Sequence, residues 1–138
     1  MQELKKGDKK LINAWAFYDW ANSVYSLVIA TAVFPIYFES VTSENNGIVH
    51  FMGMEINNSS LLSYSLSFSF LIVALLSPIL SGIADYTGNK KRFMQFFCYL
   101  GSFSVIGLFF FKGPETLWIG VLGTILASIG FWGSIVFY

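Results

Sequence analysis

The sequence predicts an all-α membrane protein with four transmembrane helices. Three observations predict it. Hydrophobic residues make up 55% of the 138 positions and charged residues only 12%, where soluble domains carry roughly 25% charge. The charges are clustered, leaving four stretches free of Asp, Glu, Lys and Arg: Trp20 to Phe38, Ile56 to Ala84, Phe93 to Phe111 and Thr116 to Tyr138. Crossing a bilayer takes about 20 apolar residues, and each stretch meets that requirement. A soluble four-helix protein would show polar faces with Lys and Glu at helical spacing, and these stretches have none. The helices are expected at about 13–38, 60–84, 91–111 and 115–138, with a short inner loop at 85–90.

The first span is retained rather than a signal peptide, because its apolar part is too long and no small-residue cleavage site follows "TAVFPIYFES". Asp19, Asn22, Ser23, Ser26 and Ala30 recur at helical spacing and form one polar-to-small face. Lipid cannot satisfy such a stripe, so it should face protein or a water-filled cavity. Asp19, Asn22, Ser23 and Ser26 are therefore candidates for a substrate or proton pathway. The alternative is a structural carboxylate at Asp19, hydrogen-bonded near the inner headgroups. Pro35 frees the Thr31 carbonyl and predicts a bend near the outer end.

The second span opens with "LSYSLSFSF", which has the period of a strand. A lone strand in lipid leaves its backbone unpaired, so a helix is expected. Its serines then fall on two nearly opposite lines, Ser63 with Ser67 and Ser65 with Ser69. Pro78 is expected to kink the inner end. The third span is aromatic-rich and uncharged, a packing or lipid-facing helix. In the fourth, Gly120, Gly123, Ala127, Gly130 and Ser134 form a small-residue ridge, which lets membrane helices approach closely.

Orientation follows from the cations. Lys5, Lys6, Lys9 and Lys10 precede span 1, Lys90, Lys91 and Arg92 separate spans 2 and 3, and only Lys112 lies elsewhere. The positive-inside rule places the N-terminus and the 85–90 loop in the cytoplasm. The 39–60 loop, with its three glutamates and no Lys or Arg between Glu39 and Glu55, lies outside. "INNSS" holds N-x-S patterns that matter only in a glycosylating compartment. His50 has no second His or Cys nearby and reads as a solvated loop residue. Cys98 is the only cysteine and reads as a packing residue.

Enzyme chemistry finds no support. There is no Ser/His/Asp set, metal-ligand cluster or phosphate-binding glycine loop. No cofactor or metal is expected. Nucleic-acid binding is unsupported, since topology explains the basic cluster.

The stretch "SGIADYTGNKKR" sets an acid and a basic triplet in one tight turn. Gly82 allows close packing, Gly88 supplies the turn, and the cations anchor the inner face. Asp85 sits at a helix C-terminus, where the macrodipole disfavours an anion, so something must compensate it. Ser81 to Phe93 resembles the loop 2–3 signature of the major facilitator superfamily, with Asp85, Gly88, Lys90 and Lys91 matching. Ser81, Tyr86 and Asn89 depart from it. "WAFYDWANSVYSLVIATAVFPIYF", "GIADYTGNKKRF" and "GFWGSIVFY" are similar to the subfamily related to the fungal vacuolar amino-acid effluxer linked to autophagy.

That resemblance implies the N-terminal part of a twelve-helix secondary transporter working by alternating access on a small solute, with amino acids as the class by analogy. It implies that Gly82, Asp85, Gly88, Lys90, Lys91 and Arg92 form a cytoplasmic gate motif whose partner lies in a missing C-terminal half. The expected partners are therefore the lipid bilayer, the solute and that half. The expected location is a bacterial cytoplasmic membrane, or a vacuolar one in a eukaryote. A second reading is a small four-span protein that assembles with or regulates other membrane proteins without transport.

Overall fold

The computed structural model describes residues 7–138, apart from the side chains of Asn45 and Pro114. Lys5 and Lys6 of the cation count lie outside the described residues. The chain divides into two compact units, Met1–Ile36 and Tyr37–Tyr138.

The described part of the first unit is helical. Helix α1 (Lys9–Val24) starts at Asp8, whose carboxylate accepts the Lys10 N–H at 3.0 Å. This N-cap satisfies one of the donors that a helix start leaves open. No Gly or Pro interrupts the sequence from Lys9 to Phe34. Tyr25–Val33 continues as a nine-residue π-helix, closed by the Phe34 N–H donating to the Ile29 carbonyl. Helix α2 (Phe34–Val41) follows directly and carries the chain into the second unit. Pro35 has no N–H, and its ring crowds the carbonyl four residues back. The π segment ends at Val33, just before the Phe34–Pro35 pair where the sequence predicts a bend. The i→i+5 ladder also turns the chain less per residue than an α-helix. The α-periodic stripe from Asp19 therefore does not extend to Ala30.

In the second unit the expected 39–60 loop is structured and adds a short hairpin to an otherwise helical chain. After a 3-10 turn at Glu44–Gly47, strands β1 (Ile48–Phe51) and β2 (Met54–Asn57) pair antiparallel. Val49 faces Ile56 and Phe51 faces Met54, gathering the apolar side chains on one face. Met52 and Gly53 form the turn, both with left-handed φ, 50° and 79°. Two such residues make the turn whose twist matches the strands.

Three helices complete the unit: α3 (Asn58–Thr87), α4 (Lys90–Leu108) and α5 (Leu117–Val136). Helix α3 runs on past Ala84 to Thr87, so the expected 85–90 loop shrinks to Gly88 and Asn89. Pro78 lies inside α3 without ending it. Helix α5 packs on both of the others. Early α4 residues meet late α5 residues: a Cβ at Gly133 would touch Phe97, at Gly130 Gly101, and at Gly123 Leu108. That order makes α4 and α5 antiparallel. Ser69 of α3 lies opposite Ile125 of α5, and further along Val73 to Leu80 share a small cleft with Ile129 to Val136, so those two run parallel. Three helices among the described residues are long and apolar enough to cross a membrane: Lys9–Val41, Asn58–Thr87 and Leu117–Val136. Helix α4, with Lys90, Lys91 and Arg92 in its first turn, does not reach that measure, so the expected count of four is not met on composition alone.

The two serine lines of α3 separate by burial. Ser65 and Ser69 are buried, each hydroxyl donating to its own helix at 2.8 Å, and Ser69 also reaches the Ile125 carbonyl at 3.4 Å. Ser63 is exposed and donates to Ser59.

Candidate functional site

Two groups of residues carry the functional expectations, and each belongs to one unit. The first is the polar stripe of α1. The Ser23 hydroxyl donates to the Asp19 carbonyl at 3.0 Å, and Ser26 donates to the Ser23 carbonyl at 3.2 Å. Thr31 donates to the carbonyls of Leu27, at 3.0 Å, and Ser26. With their protons committed to their own backbone, these hydroxyls offer a ligand only acceptor lone pairs. The Asp19 carboxylate and the Asn22 side chain remain the chemically versatile members of the stripe.

The second is the turn between α3 and α4. Gly88 caps α3 in the left-handed region, at φ 66°. Glycine occupies that position without the steric cost other residues meet. The reversal brings Lys90 back over the last turn of α3, where its Nζ lies 2.5 Å from Asp85 Oδ1. This contact offsets the unfavourable placement of an anion at a helix C-terminus. Both side chains are 61% exposed, so water screens the pair and its net contribution is about 0–1 kcal/mol. Lys91 and Arg92 have no ion pair among the described residues. Tyr86, where the superfamily signature carries a cation, is 93% exposed. Gly82 departs from its expected role: a Cβ there meets nothing within 4 Å among the described residues, so no close helix approach among them requires glycine.

The small-residue positions of α5 lie against α4 and α3. A Cβ at Gly130 would stand 2.4 Å from the Gly101 nitrogen and 2.8 Å from the Phe97 carbonyl oxygen. At Gly120 it would meet the Phe111 ring at 2.9 Å, and at Gly123 the Leu108 side chain at 2.5 Å. Ala127 and Ser134 are buried, and the Ser134 hydroxyl donates to Phe131. Sequence reasoning missed Gly101, the backbone partner of Gly130, and Gly133.

It also missed a cluster where α2 meets the start of α3. Buried Asn58 donates to Thr42 Oγ1 at 3.1 Å and to the Glu39 carbonyl at 3.5 Å. Ser59 donates to the Glu39 carboxylate at 2.8 Å, and Asn57 caps α3. Tyr37 donates to the Phe111 carbonyl at 2.8 Å, while Phe38 stacks on Phe111. The asparagines of "INNSS" thus serve as a helix cap and a buried clasp. His50 is exposed, 3.8 Å from its cross-strand neighbour Glu55. No group of three or more His, Cys, Asp or Glu among the described residues could hold a metal ion.

Three helices long and apolar enough to cross a membrane, with a compact turn dense in cations between α3 and α4, define a multi-pass membrane protein. Residues 7–138 match the family model described as "Vacuole effluxer Atg22 like". The chain belongs to this family. It is 41% identical over 126 residues to a protein of Bacillus subtilis named "Uncharacterized MFS-type transporter YxiO", covering 91% of this chain and 28% of that protein. It is 32% identical over 150 residues to "Autophagy-related protein 22" of Chaetomium globosum, covering 92% of this chain and 23% of the relative. The namesake of Pyricularia oryzae is 27% identical over 161 residues, covering 98% and 24%. The chain therefore spans about a quarter of the length of these relatives. No solved structure matches it.

Proposed function

We propose that this chain forms the first four spans of a major facilitator transporter that moves a small solute by alternating access. The observation that carries the reading is the family match over 7–138, which includes the Asp85–Arg92 turn. On this reading α4 is the third span. Its 19 residues extend about 28 Å at 1.5 Å each, close to the roughly 30 Å hydrocarbon core. A two-residue turn and a short connection join it to α3 and α5, so it must cross if they do. The N-terminus and the α3–α4 turn then lie in the cytoplasm, in a bacterial cytoplasmic membrane or a vacuolar one.

Transporters of this type place the solute between repeats and between halves. Asp19 and Asn22 would line one side of that path. Asp85, Lys90, Lys91 and Arg92 would meet the second half as a cytoplasmic gate. Amino acids are the proposed solute class, by analogy with the fungal vacuolar amino-acid effluxer that the sequence resembles. Reconstituted alone in liposomes, the 138-residue chain should show no saturable amino-acid uptake, with or without a proton gradient. Uptake that disappeared in Asp19→Asn would overturn the reading, because the chain would then be a self-sufficient carrier.

A further inference from the structure

We propose that the groove between α3 and α4 beside the Gly88 turn binds one anionic phospholipid of the leaflet on that side. Leu80 of α3 and Phe93 and Phe96 of α4 line its apolar part, and Thr87, Asn89 and Arg92 form its polar rim. It is an open groove of about 460 Å³, within the roughly 300–1,000 Å³ of ordinary ligand sites. All of these residues belong to the second unit.

The charge and depth of the groove select its occupant. Three cations, Lys90, Lys91 and Arg92, open α4 just after the turn, and of these Lys90 is paired with Asp85. Arg92 stands on the rim without an ion pair among the described residues, and its planar fork suits a phosphate. Asn89 holds the N-cap position of α4, and its side-chain NH2 is a donor suited to a phosphate oxygen. Thr87 has already given its hydroxyl proton to the Ile83 carbonyl at 2.9 Å. Leu80 lies seven residues before Thr87 on α3, about 10 Å deeper at 1.5 Å per residue. A phosphate at Arg92 and Asn89 therefore continues naturally into acyl carbons against Phe93, Phe96 and Leu80. Phe96 is 60% exposed, a face that lipid can cover. A soluble anion would use the rim and leave the apolar part empty, so the amphipathic shape favours a lipid.

The test is thermal unfolding of the purified chain in a nonionic detergent, titrated with phosphatidylglycerol, phosphatidylcholine or inorganic phosphate. Phosphatidylglycerol should raise the melting temperature saturably, and the other two should not. Arg92→Gln should raise the half-saturating phosphatidylglycerol concentration about fivefold, the effect of one cation at a membrane surface. Phe96→Ala should weaken binding as well, while Lys9→Gln, which removes a cation far along the sequence, should leave it unchanged. Equal protection by phosphatidylcholine would overturn the charge argument, and full protection by inorganic phosphate the lipid argument. Equal weakening by Lys9→Gln and Arg92→Gln would show diffuse attraction instead of a site. The absence of any shift with phosphatidylglycerol would refute the proposal outright.

Discussion

Gly130→Ala is the sharpest perturbation of the helix packing. An added Cβ would lie 2.4 Å from the Gly101 nitrogen, 2.5 Å from the Gly101 Cα and 2.8 Å from the Phe97 oxygen. All three are backbone atoms, so no side chain can rotate away. Ordinary contact begins near 3.4 Å, so α4 and α5 must separate by roughly 1 Å. A gap of that size forfeits about a quarter to a half of each dispersion contact along the seam. Overpacking of this kind costs about 1–3 kcal/mol. Replacing a helix-interior glycine by alanine returns about 1 kcal/mol of propensity, so the net loss should be up to about 2 kcal/mol. Gly82→Ala is the matched control, because its Cβ meets nothing within 4 Å and only the propensity gain applies. Thermal unfolding in detergent should rank Gly82→Ala above the parent and Gly130→Ala below it. A Gly130→Ala chain as stable as Gly82→Ala would refute the close backbone crossing.

The remaining expectations concern the turn and the clasp. Asp85→Asn should change unfolding stability by less than about 1 kcal/mol, since the Asp85–Lys90 pair is exposed on both sides; a larger loss would mean that this carboxylate holds the short chain together. Asn58→Ala should destabilise by about 1–3 kcal/mol, because it removes the buried amide that Thr42 and Glu39 share. Asn57→Ala should cost about 1 kcal/mol, the usual worth of an N-cap, and chemical denaturation of both variants would show whether the clasp exceeds the cap.

The helices were legible because lipid tolerates few charges, and the gaps between charges mark them out. Their ends were less legible. Asp85 ended the charge-free run, but the left-handed Gly88 ends the helix, one turn later. The hairpin was hidden because each strand has only four residues and its turn is Met-Gly, not the usual Asn-Gly. The π-helix left no compositional trace beyond Pro35, so the stripe from Asp19 was drawn with one period throughout. The small residues of α5 stood out as a row, whereas Gly101 sat among aromatics with no periodic neighbour to mark it. Asn58 looked like a modification pattern, because its partners Thr42 and Glu39 are distant in sequence. The acid, glycine and cations of the α3–α4 turn are close in sequence, which is why a local reading could group them.

The central claim is that the chain crosses the membrane four times with the Asp85–Arg92 turn inside. Single cysteines at Glu44, Tyr86 and Lys112, each in a Cys98→Ala background, would be probed with an impermeant maleimide on intact cells. Glu44→Cys and Lys112→Cys should label from outside, and Tyr86→Cys only after lysis. Labelling of Tyr86→Cys from outside would invert the topology, and protection of Lys112→Cys together with Tyr86→Cys would show that α4 does not cross.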